Sequence, residues 1–410
     1  MASSASHSVA SLVLAQKVVT KWKKMRDDKE KTSFFIDDAN AVSCGQSWGQ
    51  NARCEIFLKQ GKLKEKQERR TEKQFKKWEL FKSKIASARL GDVLSGVNFY
   101  LGRKRYSVLK QLGEGPHSKV FEVYDEEKNI FALKIVNLTS TGWLRKQLMR
   151  EIVYLEKLRD CKRVVQALEF ELLSSEEDEF LLVLMERGDA DLANLINKHR
   201  EDGTLTSSRV RFYWEQMLEA VQEVHSHGIL HADIKPANFL LVSGELKIID
   251  FGLSSDMQPG TESVVRQFIG GTREYMSPEI YSSFYAQVYS NSSGGILVTT
   301  KSDIWALGVI LYQAVCGSLP FSSVSHLVDS KFKVNLENVD DVWLRQVLEC
   351  TLARDPDLRP GVTDLLSHQF IRPRTVQKIL CTDCRDMELF ISQRGKKGSG
   401  LISDRVRSDQ

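Results

Sequence analysis

No stretch of this 410-residue chain stays apolar long enough to cross a bilayer: the longest run, Trp305 to Cys316, is short and contains Gln313. No transmembrane segment is expected. Excess charge is also scarce. A net charge of +4, from 58 basic and 54 acidic residues, creates no field that argues by itself for nucleic acid. No direct nucleic-acid partner is expected. Cysteine is sparse, seven in all, and set singly apart from Cys381-x-x-Cys384. One such pair without a second is weak support for zinc. With no signal peptide ahead of them, the thiols are expected to be reduced, in cytoplasm or nucleus. No internal repeat is visible. What is present is an ordinary globular balance, 42% hydrophobic and 27% charged, able to bury a core.

Three regions separate by composition. The first 26 residues hold no acidic residue, and Lys17, Lys21 and Lys24 can share a helical face opposite Leu12, Val19 and Trp22. That pattern suits a partner-binding helix, a membrane-surface helix or a transit peptide as well as it suits a frayed arm. Between Lys59 and Lys84 there are 11 Lys or Arg against 4 Glu, which reads as a solvated helix turning amphipathic at Phe75, Trp78, Phe81 and Ile85. Residues 1–97 are therefore a basic, partly helical or disordered region. From Phe99 the pattern shifts to short β-rich runs, YSVLKQL, KVFEVYD and NIFALKIV. Beyond Asp189 helical patterns take over, such as Val210 to Gly228. Strands first and helices later predict an α+β fold in two lobes, 98–187 and 188–372. The Ser/Asn/Gly-rich stretch Ser282 to Gly295 is expected to be a surface loop, and 373–410 a polar, basic tail.

The chemistry begins at Leu112-Gly113-Glu114-Gly115-Pro116-His117-Ser118-Lys119-Val120, between two predicted strands. Its glycines let backbone N–H groups approach phosphates, although the pattern is G-x-G-x-x-S and is weak alone. Lys134 follows in the apolar run Phe131-Ala132-Leu133-Lys134, where an ammonium is costly without a partner. The predicted helix Trp143 to Leu158 offers Glu151 beside an inward face of Leu144, Leu148, Ile152 and Leu155. Such a Lys–Glu pair can hold α- and β-phosphates. Most specific is His231-Ala232-Asp233-Ile234-Lys235-Pro236-Ala237-Asn238, then a strand pair ending at Asp250-Phe251-Gly252. Asp233 can orient a substrate hydroxyl, and Lys235 can neutralise a transferring phosphate. Asn238 and Asp250 are hard oxygen ligands for Mg²⁺.

Residues 98–372 resemble a eukaryotic protein kinase domain, with a small β-rich N-lobe and a larger helical C-lobe. The resemblance implies ATP and Mg²⁺ as cofactors and protein substrates. It makes Met185-Glu186-Arg187-Gly188 the hinge, with Ala132, Met185, Glu186, Gly188 and Leu240 around the adenine. It makes Ser277-Pro278-Glu279 the close of the activation segment, Arg359 the partner of Glu279, and Asp303 the brace of the catalytic loop. The segments HADIKPANFLLVSGELKIIDFGL, DMQPGTESVVRQ and GGTREYMSPE resemble the monopolar-spindle dual-specificity kinases of the spindle assembly checkpoint. That likeness implies Ser/Thr and also Tyr acceptors, kinetochore partners, and a nuclear and cytoplasmic location reaching kinetochore and spindle in mitosis. The arginine most kinases carry before the catalytic aspartate is missing, and Ala232 stands there. Alanine cannot pair a phosphate, so autophosphorylation at Thr261, Ser263 or Thr272 is expected to engage Arg266 or Lys235 instead, with Glu262 already negative; alternatively Thr272 simply bridges Asp233 and Lys235. The competing readings are an active kinase of another pathway and a scaffold that binds nucleotide without transfer. The intact Lys134, Glu151, Asp233, Asn238 and Asp250 argue against the scaffold.

Overall fold

A computed structural model describes residues 97–138, 143–174, 179–258, 260–266, 270–289 and 295–372. The expectations for the basic arm, for the helix at Phe75 to Ile85, for Cys381-x-x-Cys384 and for the tail lie outside the described residues.

The first lobe is a six-stranded antiparallel sheet. Its strands are β1 (Asn98–Leu101), β2 (Lys104–Gly115), β3 (Ser118–Tyr124), β4 (Ile130–Asn137), β5 (Ala167–Ser174) and β6 (Glu179–Glu186), in the order β1-β2-β3-β4-β6-β5. Period-two alternation divides each central strand between two cores. Leu133 and Ile135 of β4, with Leu182 and Leu184 of β6, pack on one face with Phe99, Tyr106 and Phe121. Val136 of β4, with Leu181 and Val183, faces the other way onto Met149 and Ile152 of α1 (Trp143–Lys157). Val97 belongs to the first of these cores, and its carbonyl accepts from Val108 N, so the sheet's packing includes the residue before Asn98. The side chains of Leu144 and Leu148 lie outside the described residues.

After Glu186 the chain turns helical. Following β7 (Ala190–Asp191) and α2 (Leu192–Glu201), the helix α3 runs from Ser207 to Ser226, its Thr206 hydroxyl capping Arg209 N. It buries Val210, Trp214, Met217, Leu218, Val221 and Val224, a full apolar stripe. The short strand β8 (Ile229–Leu230) leads into the loop at His231. Next comes the hairpin of β9 (Phe239–Val242) and β10 (Glu245–Ile248), turned by Ser243 and Gly244, both at positive φ, as a tight two-residue connection requires.

The chain then forms β11 (Ser255–Asp256), paired with β8, and β12 (Ser263–Arg266). The helix α4 covers Pro278–Tyr289, and β13 (Ile296–Thr299) pairs antiparallel with β12. The expected loop at Ser282 to Gly295 is therefore corrected: its first half is helix. Ile280, Phe284 and Val288 recur at helical spacing, a period hidden by the serines between them. The central helix α5 (Thr300–Cys316) is buried on nearly every side and ends at Gly317 in the left-handed conformation. It packs on α3 and on α7 (Val342–Thr351), the latter following α6 (Val324–Val328); α8 (Val362–Leu366) packs back on α3. Among the described residues no helix is long and apolar enough to span a membrane.

Candidate active site

The expected glycine-rich loop is the tip of the β2–β3 hairpin, with Gly113 opposite Val120, Glu114 opposite Lys119 and Gly115 opposite Ser118, leaving Pro116 and His117 as the turn. Gln111 is buried and donates to Glu114, which also lies 3.7 Å from Lys119, so the hairpin is braced from beneath. Leu112 is exposed on it.

Lys134 stands opposite Val183 in the sheet, on the face toward α1. Its Nζ lies 2.7 Å from Glu151 Oε1. Burial alone would push the Lys134 ammonium down, but the carboxylates of Glu151 and Asp250 outweigh it and hold the lysine above its ordinary value. Burial pushes the Glu151 carboxyl up, against the pull of Lys134. The ion pair is thus poised in low dielectric with Asp250 within electrostatic reach.

Across the cleft, Asp233 is buried and its carboxylate is fully engaged. Lys235 Nζ donates to Oδ2 at 2.6 Å, while Thr272 N and Thr272 Oγ1 donate to Oδ1 at 3.0 and 3.1 Å. Lys235 also donates to Thr272 Oγ1 at 3.1 Å, so Thr272 bridges Asp233 and Lys235. Asn238 donates its amide to the Asp233 carbonyl at 2.8 Å, which fixes the ring of atoms and turns its Oδ1 away from that bond. Asp250, in the left-handed conformation at φ 66, accepts from Gly252 N.

The loop carrying these groups is itself held from below by Asp303, in the first turn of α5 and almost wholly buried. Its carboxylate accepts from His231 N at 3.1 Å and Ala232 N at 2.9 Å, and pairs with His225 Nε2 at 2.8 Å. Burial favours the neutral acid here, but the His225 hydrogen bond and charge and the Ala232 N–H keep Asp303 below the usual carboxylate value. Ala232 takes a positive φ of 62, a strained conformation that these two backbone bonds enforce. Arg359, 1% exposed, makes a bidentate pair with Glu279 at 2.8 Å on each arm.

At the hinge, Met185 pairs opposite Ala132, and Gly188 packs so tightly on Leu240 that a Cβ there would lie 2.8 Å from Leu240 Cβ. Sequence reasoning missed three hinge partners: Glu186 pairs with Lys247, while Arg187 pairs with Glu122 and Asp189. It also missed His225 and Ser254, whose hydroxyl donates to the His231 carbonyl. No local spacing ties these residues together; they meet only through the fold.

The protein kinase domain family matches residues 106–371. This chain belongs to the protein kinase family. The kinase is similar to the dual specificity protein kinase TTK of Mus musculus, 36% identical over 276 residues, 65% of this chain and 31% of the relative. It is similar to the serine/threonine-protein kinase MPS1 of Encephalitozoon cuniculi, 35% identical over 294 residues, 70% of this chain and 46% of the relative. MPS1 of Saccharomyces cerevisiae is 34% identical over 296 residues, 68% of this chain and 38% of the relative. The chain spans less than half the length of these curated relatives.

A kinase domain implies ATP and a divalent cation, usually Mg²⁺. The donor set fits. Among the described residues no group of three or more His, Cys, Asp or Glu is arranged to hold a metal. Asp250 and Asn238 alone would leave a cation's shell open for phosphate oxygens, which is how Mg²⁺ is held in phosphoryl-transfer sites. The Lys134–Glu151 pair would offer the complementary charge for the phosphates themselves.

Proposed function

We propose that this kinase transfers the γ-phosphate of ATP to Ser and Thr hydroxyls of proteins, with Tyr as a further acceptor, in mitotic spindle checkpoint signalling at kinetochores. The observation that carries the chemistry is the engaged Asp233 carboxylate, held between Lys235, Thr272 and Asn238. A substrate hydroxyl displacing part of that network would meet an acceptor already oriented, so little reorganisation remains for the transition state. Lys235 neutralises charge at the γ-phosphate. Lys134, held by Glu151, serves the α- and β-phosphates, under the hairpin from Leu112 to Val120. Asn238 and Asp250 hold Mg²⁺, which when bound offsets phosphate charge. Ala132, Met185, Glu186, Gly188 and Leu240 enclose the adenine.

The resemblance to monopolar-spindle kinases supports the pathway, and the names of the mouse and yeast relatives support dual and Ser/Thr specificity. Protein substrates, kinetochore proteins among them, and a nuclear and cytoplasmic location follow from the same reading. The test is phosphate transfer by the purified chain beside Asp233→Asn on mixed Ser, Thr and Tyr peptides, with sites read by mass spectrometry. Transfer is expected to fall about 10²- to 10⁴-fold in the variant, the range for losing a positioned acid–base group. Equal signals from both proteins would sink the assignment. The cellular half fails if the tagged protein never concentrates on mitotic chromosomes.

A further inference from the structure

The stretch after Asp250-Phe251-Gly252 is tied to the rest of the lobe at several points, through backbone pairing and through side chains. Strand β12 pairs along its length with β13, from Ser263 opposite Thr299 to Arg266 opposite Ile296. Beyond that pairing, Thr300 N donates to the Glu262 carbonyl and Thr300 Oγ1 donates to its carboxylate at 2.8 Å. Val264 packs into a small core with Leu230, Ile280, Ile296 and Val298. At the end of β12 the Arg266 guanidinium turns inward. It donates to the Leu253 carbonyl and to Ser255 Oγ, at 2.8 Å for the latter. No carboxylate of the described residues lies within ion-pair distance of it, although Asp303 lies close enough to favour its charge.

Leu253 and Ser255 are the third and fifth residues after Asp250. Between them Ser254 is buried and bonded to the His231 carbonyl, and Ser255 pairs with Leu230. A small cavity of about 40 Å³ borders Arg266, Ala232 and Asp303. The short Ala232 side chain leaves that space open, and Arg266 enters the same neighbourhood from the other side. Glu262 and Arg266 thus anchor β12 at its two ends, one to α5 and one to the residues following Asp250.

We propose that Arg266 is a positioning residue for phosphoryl transfer, fixing Leu253 to Ser255 and so the Asp250 carboxylate, in place of a phosphate on the segment. This rests on the transfer activity proposed above. It also revises the expected role of Arg266: a guanidinium already committed to Leu253 and Ser255 is not free to receive a phosphate at Thr261 or Ser263. The unphosphorylated chain is then competent as it folds.

The experiment compares full-length wild type, Arg266→Met, Arg266→Lys, Ser255→Ala and the Arg266→Met/Ser255→Ala double variant, each phosphatase-treated, in transfer kinetics and amide hydrogen exchange. Phosphatase treatment is expected to leave wild-type kcat within about threefold. Arg266→Met should lower kcat about 30-fold with KM for ATP within about twofold, because the loss is in alignment and not in nucleotide contact. Lysine should recover part of it. Ser255→Ala should cost less, and the double variant no more than Arg266→Met alone, since both break one contact. Exchange at residues 252–256 should accelerate about tenfold in Arg266→Met while α3 is unchanged. A wild-type kcat that collapses on phosphatase treatment overturns the proposal, as does Arg266→Met with unaltered kcat, or with exchange accelerated throughout the C-lobe. Should wild type transfer no phosphate at all, the function reading fails, and exchange at 252–256 alone still decides whether Arg266 positions this segment.

Discussion

Lys134 in the sheet and Asp233 in the loop after β8 are held in opposite ways. Lys134 is hydrogen-bonded to one carboxylate, Glu151, carried by a helix on one face of the small sheet, with Asp250 acting on it only electrostatically. Asp233 is engaged by Lys235, Thr272 and Asn238, and its loop hangs from Asp303, buried in the first turn of α5. The first arrangement breaks by moving one helix. In the second, a substrate can displace part of the Asp233 network, but the Asp303 support beneath it breaks only by opening the core. The comparison teaches where the geometry is more easily broken: at α1, where one ion pair carries it, more than at the loop from His231 to Asn238, which is bonded into the buried α5.

The largest expected effect comes from breaking the permanent side. Asp303→Ala strips the acceptor from two buried N–H groups and leaves His225 unpaired. The cost expected for breaking such a buried network is about 3 to 5 kcal/mol. For a domain of this size that lowers Tm by roughly 10 °C, read by calorimetry. The pH dependence has a defined sign. Asp303 is held below its ordinary value of 3.8, so its contribution is fully present above that pH and is lost as pH falls through the lower folded value. The stability gap between wild type and Asp303→Ala should therefore shrink on acidification below about pH 3.8. A gap constant down to pH 2 would show that Asp303 acts through packing alone.

Breaking the Lys134 side should do the reverse, costing rate and leaving the fold. Glu151→Gln keeps the shape and an acceptor but removes the charge that holds Lys134. The expected loss in kcat/KM for ATP is about 10²-fold, comparable to losing one preorganised electrostatic group. Gln keeps a hydrogen-bond acceptor and Asp250 still balances part of the lysine's charge, so the stability loss should be about 1.5 kcal/mol, smaller than in Asp303→Ala. If Glu151→Gln lowered Tm as far as Asp303→Ala does, the two sides of the cleft would be built alike and the contrast would collapse.

The same contrast explains what could be read in advance. Lys134 was legible because a lysine inside Phe131 to Val136 breaks an apolar alternation and demands a partner, and the helical period puts Glu151 within range. The loop from His231 to Asn238 and the hairpin down to Asp250 were legible because their residue types and spacing are chemically specific. Helix α3 was expected from Val210 and begins at Ser207, since Thr206 supplies a cap that apolar periodicity does not register. The burial of His225 against Asp303, the pairing of β12 with β13 and the inward turn of Arg266 were not legible. Each joins residues distant in sequence through packing that no local period encodes. Composition also misled at Ser282 to Tyr289, where serines suggested a loop and side-chain spacing made a helix.

Between the two sides lies the hinge, and the smallest expected effect tests whether it belongs with the rigid side. Glu186 reaches into the C-lobe to Lys247, and Arg187 reaches back to Glu122 of β3, so the connection is bonded in both directions. Gly188 sits where the chain passes over Leu240, and a methyl there would stand 2.8 Å from Leu240 Cβ and 2.9 Å from its Cδ1. In a hinge bonded on both flanks the backbone cannot retreat, so Leu240 must move instead, and Leu240 is expected to form the floor beneath the adenine. Overpacking of this kind costs about 1 to 3 kcal/mol. Gly188→Ala should accordingly raise KM for ATP about tenfold with kcat nearly unchanged, because the adenine contact is used equally before and during transfer. Releasing the flanks by adding Arg187→Ala should restore part of the affinity, since a looser hinge can step away from the added methyl. An unchanged defect in the double variant would mean that Leu240, and not the hinge, is the immovable partner.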